Sequence, residues 1–117
     1  MRHAPAWVLA MSVLHVAAPA SAKSPPACDI ADPTVITRQA DLPSAARAAI
    51  PFTMADPGEP FHVTDVISPG TEDEPFRRLI CAYPYGGGLV IQYEQGGFAY
   101  GVMKLLLERS GDRYFAR

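Results

Sequence analysis

Residues 76–109 read FRRLICAYPYGGGLVIQYEQGGFAYGVMKLLLER, and this stretch determines the fold class. Its apolar runs, at 76–83, 89–94 and 98–109, are separated by two clusters of glycine. Glycine accommodates the tight turns of β-hairpins, and apolar runs between such turns indicate strands. A last turn and a short aromatic run follow at 110–115. The pattern therefore predicts a meander of antiparallel strands.

The glycine pair Gly96-Gly97 predicts the register of the second hairpin. A two-residue loop pairs Gln95 with Phe98 and places one apolar set on a single face of the sheet. That set is Leu89, Ile91, Tyr93, Phe98, Tyr100 and Val102. We expect this face to receive a helix. The first turn, at 84–88, fits a loop of either four or five residues, so the register of the first hairpin stays open.

A short helix is predicted before the meander, at residues 41–50, which read DLPSAARAAI. Asp41 is expected as its N-cap, Pro43 lies in its first turn, and Pro51 ends it. The apolar residues of the segment fall on one stripe, with Arg47 on the opposite side. Because the helix is short, it needs packing against a sheet to be stable.

Two further segments have strand-like patterns. Residues 61–67, FHVTDVI, alternate as a strand, and the β-branched residues 34–37 form either a short strand or an extended lead-in. One helix followed by four or five antiparallel strands predicts the α+β class, with the helix packed on a meander sheet. This order of elements resembles that of cystatin-like folds, and the resemblance is one of element order alone.

The first 22 residues have the pattern of a secretory signal peptide. Arg2 precedes the apolar run 6–14, and Pro19 is followed by an A-x-A cleavage pattern at 20–22. The apolar run is too short to span a bilayer stably. We therefore expect this leader to be removed during export by the general secretory route, which makes the protein periplasmic or secreted in a bacterium.

Removal of the leader leaves a Pro-rich arm at 23–33 and a single α+β domain at 34–117. Loss of Arg2 leaves nine of the ten basic residues against twelve acidic ones, a formal charge of −3. Mild acidity disfavours nucleic acid as a partner, and no segment of the mature chain has the length of a transmembrane span. The oligomeric state is left open.

The only two cysteines, Cys28 and Cys81, are predicted to form a disulfide. An isolated pair in an oxidising compartment is typically a structural bridge, and C-x-x-C redox spacing is absent. Such a bridge would stabilise the domain by about 4 kcal/mol and attach the arm to a strand. Which face of the sheet carries Cys81 depends on the first hairpin and stays open.

The mature sequence contains no recognisable catalytic, metal-binding or cofactor motif. The glycine clusters lie in hairpin turns and do not precede helices, which disfavours a phosphate site. The acidic residues of 56–74 lack a calcium-loop frame and fit a solvated rim. We therefore predict no metal and no cofactor. His62 is the only histidine after the leader, and a small hydrolase using His62 with Asp65 is one alternative function.

Aromatic residues flank both glycine clusters, and tyrosines beside adaptable loops suit recognition of a protein or a glycan. Cross-strand pairs that merely stabilise a small sheet are the competing interpretation. The candidate binding residues are Tyr83, Tyr85, Gly86, Gly87, Tyr93, Gly96, Gly97, Phe98 and Tyr100.

The function predicted from the sequence is that of a small exported, non-enzymatic binding or inhibitor-like module. Its target would be a protein or glycan of the cell envelope. Besides the hydrolase, a second alternative is an envelope structural or assembly protein that adds a strand to a partner through an open sheet edge.

Overall fold

The computed structural model describes residues 26–117, so the predicted leader and the start of the arm lie outside the described residues. One short helix and one four-stranded antiparallel sheet confirm the α+β class. The elements are α1 (Ser44–Ala49), β1 (Arg77–Tyr85), β2 (Gly88–Gln95), β3 (Gly101–Ser110) and β4 (Arg113–Ala116). A 3₁₀ turn, Gln39–Asp41, precedes the helix, and neighbouring strands follow each other in chain order.

The helix begins later than the sequence predicts. Asp41 ends the 3₁₀ turn, and Pro43 stands at the N-cap with no side-chain hydrogen bond to the first turn, so the N-cap prediction for Asp41 is wrong. The predicted apolar stripe is correct, because Leu42 and Ala46 are buried and Arg47 is exposed. Burial against the sheet therefore stabilises a helix that is too short to be stable alone.

The first hairpin has the tightest turn available. Gly86 and Gly87 both have positive φ, +56° and +84°, and Tyr85 pairs with Gly88. Two successive residues with positive φ match the right-handed twist of the strands, and glycine adopts them at little cost. The turn therefore contains two residues instead of the four or five predicted.

A β-bulge in β1 decides which face carries the cysteine. Leu79 pairs with Tyr93, whereas Cys81 pairs with Gln92, so Ile80 is an extra residue with no partner. An extra residue inverts the alternation of side chains along a strand. Cys81 consequently lies on the face opposite to Leu79.

The register predicted for the second hairpin is wrong. Gln95 pairs with Gly101 and not with Phe98, so the loop spans residues 96–100. The shift of three residues is odd, and it exchanges the two faces of β3. Phe98 and Tyr100 therefore leave the predicted apolar face, which is completed from β3 by Leu105 and Leu107.

The predicted strand at 61–67 is not formed. Phe61 and His62, which are adjacent, are both buried, and a strand with one buried face would bury alternate residues. The backbone bonds of this segment go elsewhere, since the His62 N–H donates to the Pro75 carbonyl and the Val63 carbonyl accepts from the Gly97 N–H. Packing of Phe61 and His62 against the protein therefore prevails over the alternating pattern of 61–67, which is typical of a strand.

The first face of the sheet carries the main core and receives the helix. Its buried members are Leu42, Ala46, Met54, Leu79, Ala82, Leu89, Ile91, Tyr93, Leu105 and Leu107. The Phe52 ring closes this core by packing on the Tyr93 ring, with 4.8 Å between centroids.

The second face is covered by the N-terminal arm. The predicted disulfide between Cys28 and Cys81 is present. The buried Gln92 side chain accepts a hydrogen bond from the Asp29 N–H at 3.0 Å and donates one to the Ala27 carbonyl at 3.1 Å. The amide therefore binds the arm much as a neighbouring strand would.

The arm continues to the outer edge of β1. Ile36 forms an isolated antiparallel bridge with Ala82, with both hydrogen bonds at 2.8 Å, so residues 34–37 are an extended lead-in with a single bridge. Ala55 forms a second bridge, to Arg78. Two chain segments thus pair with the edge of β1, which restricts access to it.

Candidate functional site

The residues predicted to bind a partner do not form one surface. Tyr85, Gly86 and Gly87 lie at the start of β2, whereas the loop 96–100 lies at its end. Eight residues of strand separate the two hairpins, which corresponds to about 25 Å. The structure therefore divides the predicted set into two separate ends of the sheet.

Two of the predicted tyrosines are buried in the sheet. Tyr83 packs with the Cys81 cluster on the second face, and Tyr93 belongs to the main core on the first face. Neither ring is available to a partner, so for these two residues cross-strand packing is the better interpretation.

The first hairpin end is small and open. Tyr85 is exposed, and it borders a shallow cavity of about 250 Å³ together with Gly86 and residues 106–109 of β3. No described side chain converges on this cavity with a buried charge. This end offers little beyond one exposed ring.

The loop 96–100 is attached to the body of the protein at its first two residues. The Gly96 N–H donates to the Phe76 carbonyl at 2.8 Å, and the Gly97 N–H donates to the Val63 carbonyl at 3.1 Å. A Cβ atom at Gly96 would collide with the His62 carbonyl oxygen, so only glycine allows this close approach. The two glycines therefore dock the start of the loop, and Gly97, with a φ of +98°, also bends the chain there.

A buried ionic network fixes the other end of the loop. The Tyr100 hydroxyl donates to Glu94 Oε1 at 2.8 Å, and Arg78 Nε donates to Glu94 Oε2 at 2.7 Å. Glu94 is almost completely buried, and the Arg78 guanidinium lies over the Phe61 ring at 4.3 Å and donates to the Glu59 carbonyl. Each oxygen of the buried carboxylate thus has a partner, as burial requires.

The network perturbs the ionisation of the tyrosine. Partial burial and the hydrogen bond to the Glu94 carboxylate raise the pKa of Tyr100 above its ordinary value of 10.0, and the negative charge of Glu94 acts in the same direction. The hydroxyl is therefore kept protonated, as a donor that holds the loop.

Between these two attachments the loop projects one aromatic ring. Phe98 is 96% exposed, at the centre of the loop. Phe76 is partly exposed beside it, because a Cβ atom on Gly97 would lie 3.4 Å from the Phe76 ring, and Val63 is exposed on the docked segment. We call Val63, Phe76, Phe98 and Tyr100 the loop surface.

A cavity of about 210 Å³ lies beside the ionic network. It is bordered by Pro26 and Pro57 and reaches Arg78 and Glu94. Both carboxylate oxygens of Glu94 are already engaged by the protein's own donors. The cavity therefore offers no free acid or base to a substrate.

His62 does not form a catalytic arrangement. The imidazole is buried against the Phe76 ring, with 4.8 Å between centroids, and its Nε2 has no hydrogen-bond partner among the described residues. Asp65, its predicted partner, is exposed. A general base is oriented by a hydrogen-bond partner, and none of the described residues supplies one to Nε2 of this imidazole.

The described residues carry no further feature that identifies a function. No group of three or more His, Cys, Asp or Glu side chains within residues 26–117 is placed to hold a metal ion. No helix in the same range is long and apolar enough to cross a membrane. Comparisons with protein-family models, curated proteins and solved structures find no match to this chain.

Sequence reasoning missed the residues that hold the loop. Arg78 and Glu94 are directly opposite each other across β1 and β2. A two-residue turn at Gly86-Gly87 with regular strands on both sides would place Arg78 opposite Gln95. The bulge shifts the pairing by one residue and brings Arg78 opposite Glu94. The signal was present in the turn, but the bulge could not be read from the sequence.

Proposed function

We propose that this protein is an exported, non-enzymatic binding module that captures a protein of the cell envelope through the loop surface. The observation that supports this proposal is the exposure of Phe98 on a loop whose two ends are both fixed. Single exposed apolar residues are common on protein surfaces, but a fully projecting ring on a short fixed loop is a feature of binding sites.

Fixed loop ends lower the cost of association. Two backbone hydrogen bonds and the Tyr100–Glu94 bond already restrict the loop, so little conformational entropy is lost when a partner binds. Complete burial of the phenylalanine ring would contribute about 1.5–3 kcal/mol. Phe76 and Val63 would extend the apolar contact around it.

The chemistry of the loop surface favours a protein over a glycan. Glycan recognition needs several free hydrogen-bonding groups around a stacking ring. Here the Gly96 and Gly97 N–H groups and the Tyr100 hydroxyl already have partners inside the protein. A mainly apolar contact with its polar groups satisfied suits the apolar centre of a protein interface.

Export is part of the proposal. The leader pattern at 1–22 predicts it, and the Cys28–Cys81 disulfide is compatible with an oxidising compartment. The hydrolase alternative has less support, because His62 Nε2 has no hydrogen-bond partner within residues 26–117. The similarity in element order to cystatin-like folds stays a prediction, and the proposal does not depend on it.

Site-specific photocrosslinking in producing cells tests the proposal. A benzoylphenylalanine at position 98 is expected to form an adduct of defined mass with one envelope protein, and the same group at Tyr85 serves as the matched control. Tyr85 is also exposed but lies at the other end of the sheet. Adducts that are equal at both positions, or absent at 98, would contradict the proposal.

Alanine variants provide the quantitative arm of the test. Phe98→Ala should reduce affinity for the crosslinked partner at least about tenfold, the effect of a typical hot-spot residue, whereas Tyr85→Ala should leave it unchanged. Both variants should keep the wild-type thermal midpoint, because neither ring is buried. Unchanged affinity of Phe98→Ala would place the binding surface elsewhere.

A further inference from the structure

Half of the outer edge of β3 has no neighbouring strand among the described residues. β4 pairs with β3 only from Leu107 to Ser110, and the Arg117 N–H adds one bond to the Leu106 carbonyl. From Gly101 to Leu105 the same edge pairs with nothing that the structure describes. A sheet edge of this kind is a template for another extended chain.

The hydrogen bond from the Arg117 N–H also shows which residues of β3 direct their backbone N–H and C=O groups away from β2. Successive residues of a strand direct their N–H and C=O groups to opposite sides, and Leu106 directs its own toward β4. Val102 and Lys104 therefore present two N–H and two C=O groups at the open edge. Only an extended polypeptide carries complementary groups at that spacing.

The charge that usually protects an exposed sheet edge from pairing with another strand is partly neutralised at the open edge of β3. Proteins often place a lysine on an exposed edge so that its charge repels a second strand. The Lys104 ammonium is instead paired with the Asp29 carboxylate of the arm. Val102 and Met103 on the same edge are 44% and 42% exposed, so apolar contact area is available beside the polar backbone groups.

We infer that this edge pairs with the same edge of a second copy of the chain, antiparallel and centred on Met103. In that register Val102 of each copy lies opposite Lys104 of the other, which satisfies all four outward groups of both edges. Met103 lies opposite its own counterpart. The contact is isologous, as in most homodimers, and it joins two four-stranded sheets into one.

The part of the edge that pairs with no described strand, 101–105, is centred on Met103, so a second copy related by a two-fold axis at that residue covers the whole of it. The outward residues, 102 and 104, are placed symmetrically about Met103, so a two-fold axis at that residue leaves no outward group unpaired. The salt bridge to Asp29 leaves each edge without net charge at Lys104. The outer edge of β4 is a poorer candidate, because β4 is only four residues long and Arg113 stands at its start.

The dimer has a consequence for the loop surface, although it does not depend on the proposed function. The last residue of each loop, Tyr100, lies three positions from the two-fold axis, on opposite sides in the two copies. Six residues of extended chain separate them, about 20 Å. The dimer would therefore carry two Phe98 rings in fixed relative positions and bind a repetitive or dimeric partner by avidity.

Engineered cysteines test the register directly. Met103 forms a non-hydrogen-bonded pair with its counterpart, and the Cα separation of about 4.5 Å in such pairs is suitable for a disulfide. Under mild oxidation, Met103→Cys should form a covalent dimer about ten times faster than Tyr85→Cys, the matched exposed control. Equal rates would overturn the inference.

A proline substitution distinguishes crosslinking that depends on backbone hydrogen bonds between the two edges from crosslinking by random collision. Val102→Pro removes an outward N–H and leaves the bonds to β2 in place, because edge positions tolerate proline. In the Met103→Cys background it should reduce the crosslinking rate to that of Tyr85→Cys, whereas Val102→Thr should not. Crosslinking that persists with proline would also overturn the inference.

Hydrogen exchange of the wild-type protein provides a measurement that does not depend on any variant. As protein concentration rises, the amides of Val102 and Lys104 should become protected, and those of the β1–β2 turn should not change. Exchange at 102 and 104 that is independent of concentration would contradict pairing at this edge.

Discussion

Tyr100 is the side chain whose ionisation is most directly connected to the fold. Partial burial and the bond to Glu94 raise its pKa above 10.0, so the unfolded chain loses this proton at a lower pH than the folded protein does. The stability that the protonated hydroxyl contributes is complete below pH 10 and decreases as the pH rises through the folded pKa.

The Tyr100→Phe variant should therefore lose stability at neutral pH and show a smaller further loss above pH 10. The neutral-pH cost should be about 1–2 kcal/mol, because the Glu94 oxygen loses a donor. Urea unfolding of both proteins from pH 7 to alkaline pH measures the difference. Parallel curves for the two proteins above pH 10 would show that this hydroxyl does not couple its ionisation to folding.

Gly96 is the second single residue with a specific role. Gly96→Ala should lower the free energy of unfolding by about 1–3 kcal/mol, because the new methyl group meets the His62 carbonyl oxygen and must displace residues 61–63. Gly101→Ala is the matched control, since a Cβ atom there meets only the Met103 sulfur at 3.9 Å.

Chemical denaturation of the Gly96→Ala and Gly101→Ala variants measures the two changes in the free energy of unfolding. The control should be neutral or slightly stabilising, because alanine in a strand restricts the unfolded chain more than glycine does. If both variants lose equal stability, the contact with the His62 carbonyl oxygen does not explain the glycine at 96.

Among the helices, strands and connecting segments, the arm over the second face depends most on a covalent bond. A variant with Cys28→Ala and Cys81→Ala should be about 4 kcal/mol less stable, because the unfolded chain regains the entropy of a loop that spans 53 positions. Its thermal midpoint should fall in proportion.

The Gln92 hydrogen bonds allow a check on how the arm is held. They remain available without the disulfide, so Gln92→Leu in the cysteine-free background should loosen the arm further, with only the Asp29–Lys104 salt bridge and the apolar contacts of the arm left to hold it. Movement of the arm would expose Tyr83, and iodide should then quench the tyrosine fluorescence of the protein more strongly. Unchanged quenching in the variant that lacks both the disulfide and Gln92 would mean that the remaining contacts hold the arm.

For the chain as a whole, the central strand should be the last region to open. All of β2 except Gln95 is buried, whereas β4 has four residues and only Tyr114 is partly buried. Amide exchange under native conditions should therefore be slowest in 89–94, close to the free energy of global unfolding, and fastest in 113–116. Similar protection of the two strands would indicate a single cooperative unit.

Local sequence signals predicted the features that depend on neighbouring residues. The runs at 76–83 and 89–94 match β1 and β2 to within two residues, and the disulfide was predicted because the two cysteines are isolated in a chain expected to be exported. The stripe on the helix was also correct. In each case the residues that give the signal are the ones that form the element. For the disulfide, two cysteines allow only one pairing.

The errors arose where distant segments compete for the same groups. Gly96 and Gly97 have the composition of a hairpin turn, but their N–H groups are used by Phe76 and Val63. That contact is not visible in the sequence, and it moves the turn to Phe98. The predicted binding surface has a different fault, because its two glycine clusters flank one strand, and successive hairpins of a meander lie at opposite ends of the strand they share.

The extra residue in β1 is a length change that the disulfide should tolerate. If Ile80 were deleted, Leu79 and Cys81 would become adjacent, with their side chains still on opposite faces, and Cys81 would still stand opposite Gln92. Descendants of this sequence should therefore be able to lose that codon and keep the cystine. A regular ladder that kept all three residues would instead turn the thiol toward the interior with Leu79, out of reach of Cys28.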